Sequence, residues 1–246
     1  MIPYTQNFNL YKKISRDEAI KMVAFGSSST QRFMCGMHWF DYVELGFKNC
    51  FSHKVGQFIN SGVSNDSTVE LLARFEGECA AYQPDLVILT VGANDCRLGH
   101  APEFFESNLH RLRDNIRGLG ADLVLQTFYP IDSERAHSWW LGIDKYVEVA
   151  RKFAVQTDTP LVDTAQRWRP MRDLHIDVYR TLLRDLGHLN ELGNMVLGLD
   201  LIRFFNVGLL MKDKQIDYCR EGIVLQYMLD SLNRPSSATG PIPAAS

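Results

Sequence analysis

The sequence lacks any apolar stretch near the roughly 20 residues that a membrane-spanning helix needs. It also lacks an excess of positive charge, since 26 Lys and Arg stand against 29 Asp and Glu, for a formal net charge of -3. Nucleic-acid-binding proteins usually carry a basic excess, so that class is disfavoured. No basic start followed by an apolar segment is present, which predicts a cytoplasmic protein without a secretory signal.

Residue patterns typical of disulfide or metal sites are missing too. The 5 cysteines are odd in number, widely spaced and without a C-x-x-C pair, which indicates reduced thiols. The 7 histidines show no ligand spacing such as H-E-x-x-H. We therefore predict no metal and no cofactor.

The chain length of 246 residues is within the range that one hydrophobic core can hold. We expect a single domain over residues 1–232, with a motif-bearing core of about 20–205 and an added C-terminal helix of about 212–232. The tail, residues 233–246, is rich in Pro, Gly, Ser and Ala, and we predict that it is disordered.

Short apolar runs alternate with helical patterns along the core. Continuous apolar runs bounded by Gly and Pro are typical of strands buried on both faces, hence of a parallel sheet. The alternation predicts a doubly wound three-layer α/β fold, in which ligands bind beyond the carboxyl ends of the strands. The predicted strands are 21–25, 55–60, 85–91, 121–128 and 161–163, and the predicted helices are 67–82, 102–119, 143–156 and 191–205.

Four polar segments occur where such a fold places its binding loops. Three of them follow predicted strands: GSSST at 26–30, NSGVSNDST at 60–68 and GAND at 92–95. The fourth, DLGHLNELG at 185–193, precedes a predicted helix. Each segment alone is a common loop, but four in these places indicate a site.

The residue types in these segments suit acyl transfer. A serine at a strand-to-helix turn exposes its hydroxyl, and a histidine can take its proton and return it to a leaving group. Asp185 and His188 are three positions apart, so the carboxylate can orient the imidazole. Asn94 offers a neutral N–H donor for an oxyanion, a contribution of roughly 3–4 kcal/mol.

With its four segments in this order, the chain resembles the SGNH, or GDSL, family of serine esterases and lipases. The resemblance implies a flavodoxin-like α/β/α sandwich with five parallel strands. It further implies that Ser28 is the nucleophile, with Asp185 and His188 completing the triad. The oxyanion hole would be formed by the Ser28 and Asn65 backbone N–H groups and the Asn94 side chain.

Two positions depart from the family pattern. Ser27 replaces the aspartate that precedes the nucleophile, a carboxylate that helps to hold the turn in the family. Asn65 replaces a glycine whose backbone N–H is used; asparagine tolerates positive φ better than other non-glycine residues. The choice of Ser28 over Ser27 or Ser29 depends on the resemblance.

Several residues allow two interpretations. The serines at 27–29 could be helix N-caps. His175 is a weaker rival base, and Cys96 is more typical of a buried thiol than of a nucleophile. Arg32 could bind an anionic substrate group or face solvent. Trp139, Trp140 and Trp168 could stack on a sugar or pack in the core or a lid.

The expected function is hydrolysis of small acyl esters through an acyl-serine intermediate, with acetyl on a carbohydrate as the favoured substrate and no nucleic-acid partner. A lysophospholipase or thioesterase is the alternative within the family. A flavodoxin-like module that binds a flavin phosphate in the Ser/Thr-rich loop is the alternative from another class. A catalytically silent relative is a third reading, motivated by Ser27 and Asn65.

Overall fold

A computed structural model describes residues 8–33, 36–51, 55–135, 137–208 and 213–234. Its centre is a five-stranded sheet in the order β2-β1-β3-β4-β5, with every neighbouring pair parallel. The strands are β1 (Ile20–Gly26), β2 (Val55–Gly62), β3 (Leu86–Thr90), β4 (Asp122–Gln126) and β5 (Leu161–Val162). All five predicted strands are therefore present.

Eleven α-helices lie within the described residues, and they cover both faces of the sheet. In one group, α2 packs against α10, and α11 packs against α10 and α8. In the other group, α3 and α7 both pack against α6. The helices are α1 (Asn9–Ser15), α2 (Trp39–Phe51), α3 (Thr68–Ala73), α4 (Phe75–Glu78), α5 (Ala93–Arg97), α6 (Pro102–Gly118), α7 (Ile143–Gln156), α8 (Thr164–Leu174), α9 (Ile176–Arg180), α10 (Glu191–Phe204) and α11 (Asp213–Leu232).

The core lies on both faces of the central strands, as the uninterrupted apolar runs predict. β3 is buried at every position, and β1 at every position except Lys21. The fold is thus the predicted α/β/α sandwich. The helix expected over 67–82 is instead divided into α3, α4 and a 3-10 turn (Ala80–Tyr82). The end of the predicted tail, residues 235–246, lies outside the described residues.

The strand order fixes where a ligand can bind. The chain runs from β1 outward to β2, then returns across β1 to β3. In this order the connections leave β1 and β3 in opposite directions, so a crevice opens beyond their carboxyl ends. Ser28 lies two residues after the end of β1, and Asn94 lies four residues after the end of β3.

Candidate active site

Ser28, His188 and Asp185 form one continuous hydrogen-bonded chain. The distance from His188 Nε2 to Ser28 Oγ is 2.9 Å. His188 Nδ1 lies 2.8 Å from Asp185 Oδ1 and 3.0 Å from Asp185 Oδ2. The imidazole is therefore held between the Ser28 hydroxyl, 160 positions away in sequence, and the Asp185 carboxylate, 3 positions away. This geometry allows a proton to pass from the hydroxyl to the ring.

The loop that carries Asp185 and His188, which we call the His188 loop (residues 184–188), is closed at its base. An antiparallel bridge joins Leu183 to Leu189, and the Arg184 N–H donates to the His188 carbonyl at 2.8 Å. Immediately after the loop, Asn190 begins α10 by accepting from the Gly193 N–H at 3.0 Å. The ends of the loop are thus fixed by backbone hydrogen bonds and a helix cap.

Gly187 at the centre of the His188 loop is enclosed by aromatic side chains. A Cβ at this position would lie 1.4 Å from the Trp140 ring, so only glycine fits. The Tyr129 hydroxyl donates to the Gly187 carbonyl at 2.7 Å. Of the two roles considered for Trp140, stacking on a sugar or packing, the structure shows packing against this loop.

The Asp185 carboxylate is stabilised in its ionised form, although 44% of its side chain is exposed. Partial burial opposes ionisation, but donors from the Gly187 N–H, the His188 ring and the Arg184 guanidinium outweigh it, so the pKa of Asp185 is lowered. Gly187 and His188 both donate their backbone N–H to Oδ1 at 2.9 Å. The carboxylate that faces the imidazole is therefore charged at neutral pH.

This lowered pKa predicts a pH-dependent contribution of Asp185 to stability. Because the folded-state pKa lies below the unfolded value of about 3.9, the contribution is complete above that value and is lost as pH falls through the folded pKa. The difference in Tm between wild type and Asp185→Asn should be largest near neutral pH and shrink in acid. Thermal melts from pH 7 to pH 2 measure it. Asp177→Asn, at a carboxylate 96% exposed, is the control, and a D185N difference that stays constant with pH contradicts the prediction.

Asn94 is a buried side chain that is oriented from both ends. Its Nδ2 donates to the Asp66 carbonyl at 2.9 Å, and its Oδ1 accepts from Arg97 Nε at 3.0 Å. An amide nitrogen carries two donor hydrogens, and the bond to Asp66 uses one of them. Asn65 lies next to Asp66 and has φ 69°, the left-handed conformation that its glycine-like position requires.

The loop that contains Asn65 is joined to the turn that contains Ser28, which we call the Ser28 turn (residues 26–30). The Val63 N–H donates to the Gly26 carbonyl at 3.1 Å, and the Ser64 N–H donates to Gln31 Oε1 at 2.6 Å. A Cβ on Gly62 would lie 2.2 Å from the Gln31 backbone nitrogen, so glycine permits the close approach. The loop that contains Asn65 therefore packs directly against the Ser28 turn.

An open cleft adjoins Ser28 and His188 on the side of α2. Phe33 projects into it with 54% of its surface exposed, and the Arg184 guanidinium lies 5.7 Å from the centre of that ring. Arg32 also lines the cleft, where it forms an ion pair with Asp41. The cleft thus combines an exposed aromatic face with charged and amide groups, and its other polar lining residues include Gln31, Glu191 and Asn194.

Other residues singled out in the sequence lie in structural positions. Trp168 is fully buried and donates from Nε1 to Asp200 Oδ2 at 2.7 Å. Cys96 is buried, and burial raises the pKa of its thiol, which disfavours a nucleophilic thiolate. His175 is exposed at the junction of α8 and α9. Cys35 and the Trp139 side chain lie outside the described residues.

Sequence reasoning missed several residues that assemble the site. Asp95, fully buried, accepts from the Thr68 hydroxyl at 2.6 Å and so joins the third polar segment to the second. Arg74 donates to the Gly26 carbonyl at 3.0 Å and to Asp66 Oδ2 at 2.6 Å. The acidic residue of the GAND segment was a usable signal for the first contact, whereas nothing around Arg74 in the sequence marked the second.

A family model described as GDSL-like Lipase/Acylhydrolase matches residues 24–196, more than half of the chain. An acetylxylan esterase from Geobacillus stearothermophilus is 24% identical over 192 residues, which cover 73% of this chain and 83% of that protein. The thioesterase 1/protease 1/lysophospholipase L1 of Escherichia coli K12 is 25% identical over 105 residues, covering 42% and 48% respectively.

The fold is also shared with solved structures. A catalytic mutant of the Geobacillus acetylxylan esterase superposes with a TM-score of 0.65 at 20% identity, covering 78% of this chain and 97% of that one. Catalytic mutants of that enzyme replace a serine, an aspartate and a histidine by alanine, the last two being three positions apart. None of the helices in the described residues combines the length and the hydrophobicity that a membrane span requires.

Proposed function

The chain belongs to the GDSL-like lipase/acylhydrolase family and is a carboxylic ester hydrolase, and we propose that it removes small acyl groups, acetyl foremost, from carbohydrate alcohols through an acyl-serine intermediate. The observation that carries the proposal is the continuous contact from Ser28 through His188 to Asp185. Asn94 and the backbone N–H groups of Ser28 and Asn65 are the proposed oxyanion donors.

In the first half of the reaction, Ser28 Oγ forms a bond to the ester carbonyl carbon while His188 Nε2 takes the hydroxyl proton. The negative charge that develops on the carbonyl oxygen is stabilised by the oxyanion donors. His188 then gives its proton to the alcohol oxygen as the carbon–oxygen bond breaks. Asp185, ionised because of its lowered pKa, stabilises the imidazolium between these steps.

In the second half, a water molecule attacks the acyl-serine carbonyl, and His188 takes a proton from that water. The bond to Ser28 breaks, the proton returns to Oγ, and the carboxylic acid leaves. Each proton transfer uses the same imidazole nitrogen, 2.9 Å from Ser28 Oγ. The histidine therefore acts first as base and then as acid in both halves.

The substrate proposal rests on the cleft and on the relatives. An exposed aromatic ring beside Gln31, Arg184 and Glu191 suits a polyhydroxylated alcohol, because sugars combine apolar ring faces with hydroxyl groups. The acetylxylan esterase, similar over 73% of this chain, supports the same class. The thioesterase and lysophospholipase relative is similar over 42% of the chain, and longer acyl groups are the alternative within the family.

Two measurements test the proposal. A fluorophosphonate probe followed by peptide mass spectrometry should place the adduct on Ser28, and not on Ser27 or Ser29. A panel of p-nitrophenyl esters from acetyl to dodecanoyl, together with acetylated xylo-oligosaccharides, should give the highest kcat/KM for acetyl. A preference for long acyl chains would favour the lysophospholipase or thioesterase alternative, and an unlabelled, inactive protein would favour a silent relative.

The flavin-binding alternative conflicts with the surroundings of the Ser28 turn. A phosphate cradle needs free donors, whereas the Ser28 hydroxyl contacts the His188 ring at 2.9 Å and the Thr30 and Gln31 N–H groups donate to the Ser27 carbonyl at 3.0 and 2.9 Å. That function would also leave Asp185 and His188 without a role. Purified protein with a yellow, flavin-derived colour would support the alternative.

A further inference from the structure

The carbonyls on both sides of Ser28 are held by side chains from outside the turn, 9 to 48 positions away in sequence. The Ser29 carbonyl accepts from Trp39 Nε1 at 2.9 Å and contacts His38 Nε2 at 3.3 Å. The Gly26 carbonyl accepts from Arg74 Nη2 at 3.0 Å. The Ser28 turn is therefore fixed through its acceptors, at its start and directly after Ser28.

The two donors to Ser29 are themselves rigidly placed. Trp39, fully buried, is the first residue of α2, and its backbone N–H donates to Asn194 Oδ1 at 3.2 Å. His38 Nδ1 faces the Phe40 N–H at 3.3 Å, so Nδ1 is the acceptor and Nε2 carries the hydrogen. Burial lowers the pKa of His38 to about 4, so the ring stays neutral at physiological pH.

Arg74 joins the start of the turn to the end of β2. Besides Gly26, its guanidinium binds the Ser61 carbonyl and hydroxyl, both at 3.0 Å, and Asp66 Oδ2 at 2.6 Å. It lies 4.5 Å from the centre of the Phe25 ring. A single partly buried cation thus connects β1, β2 and the segment that carries Asn65.

We propose that Trp39, His38 and Arg74 are positioning residues that hold the Ser28 turn. They would replace the aspartate that precedes the nucleophile in the family, a position that Ser27 occupies here. A carboxylate at position 27 would hold the turn by accepting from N–H groups, whereas this chain holds it by donating to carbonyls. The inference rests on the proposed function of Ser28 as the nucleophile. Small displacements of a reacting group cost up to two orders of magnitude in rate, so the hold on the turn affects catalysis directly.

Trp39→Phe tests the proposal, because it removes the Nε1 donor and keeps an aromatic ring in the buried space. We expect kcat for p-nitrophenyl acetate and the fluorophosphonate labelling rate to fall about tenfold, with KM nearly unchanged, since the turn and not the cleft is altered. Trp168→Phe is the matched control: it removes an equally buried indole donor whose acceptor is Asp200 and not a carbonyl of the turn, and it keeps an aromatic ring against Tyr129. It should lower Tm without lowering kcat.

His38→Leu provides a second variant, which removes the longer contact to the same carbonyl and no charge at neutral pH. It should slow labelling about threefold, and His38→Gln, whose amide restores a donor, should recover part of the loss. Labelling rates of folded W39F or H38L equal to wild type would overturn the inference, as would equal losses of kcat in W39F and W168F. Failure of the proposed function looks different, since wild type would then be unlabelled or Ser28→Ala would be labelled equally.

Discussion

Ser28→Ala is expected to lower kcat/KM for small esters by about four to six orders of magnitude and to abolish fluorophosphonate labelling. The reason is that the substitution removes the proposed nucleophilic oxygen and leaves the His188–Asp185 pair without a hydroxyl to activate. The proposed oxyanion donors remain, so a small residual rate over water is expected. Steady-state kinetics with p-nitrophenyl acetate and labelling with the probe measure both effects.

Ser29→Ala is the control for this experiment, because it removes the neighbouring hydroxyl and keeps the carbonyl that Trp39 and His38 hold. Ser29 Oγ is buried and has no hydrogen-bond partner among the described residues. Activity within a few-fold of wild type is therefore expected for S29A. Full activity in S28A, with loss in S29A or Ser27→Ala, would move the nucleophile within the run of three serines.

Much of the fold could be predicted because the strands are short apolar runs with polar ends. The run before Gly92 is buried throughout in β3, and its boundaries differ from the prediction by one residue at each end. The prediction of one continuous helix over 67–82 was wrong, because tertiary contacts interrupt it. α3 ends at Ala73, and the side chain of the next residue, Arg74, is directed to Asp66, Ser61 and Gly26, contacts that no local sequence pattern records.

The candidate site could likewise be predicted from the sequence only in part. Asp185 and His188 could be paired from sequence because a separation of three residues lets a carboxylate reach an imidazole in a short loop. The contact between His188 and Ser28 spans 160 positions, and only the order of the polar segments indicated it. The packing of Trp140 on Gly187 could not be predicted, because it depends on two loops meeting beyond different strands.

The structural role of residues 32–53 could not be predicted, because this segment has no recognisable sequence pattern. Apart from the two roles considered for Arg32, the sequence of this region gave no prediction, yet α2 begins there with Trp39, which donates to the Ser29 carbonyl. His38 would ordinarily be examined as a catalytic or metal-binding histidine. Its burial and its contact with the Ser29 carbonyl instead indicate a neutral donor, which is a conclusion that requires the folded environment.

Asn94→Ala is expected to lower kcat by about 100- to 1000-fold with a much smaller change in KM, because a donor aimed at the oxyanion acts mainly in the transition state. The substitution also breaks the bond to the Asp66 carbonyl, so part of the loss comes from the segment that carries Asn65. Asn65→Ala, which keeps the backbone N–H but disfavours the positive φ, should give a smaller loss.

The matched control for Asn94→Ala is Asn108→Ala, since Asn108 is an equally buried asparagine whose Nδ2 donates to Thr68 Oγ1 at 2.9 Å. Its loss should lower Tm and change kcat by no more than a few-fold, because Thr68 keeps its own hydrogen bond to Asp95 when Asn108 is removed. Comparable losses of kcat in N94A and N108A, with comparable losses of Tm, would mean that Asn94 acts through stability alone. Loss of kcat in N94A alone, at a Tm close to that of N108A, would assign the Asn94 side chain to the oxyanion hole. The donors of the hole would then come from the loops that follow β1, β2 and β3, on the two sides of the crevice.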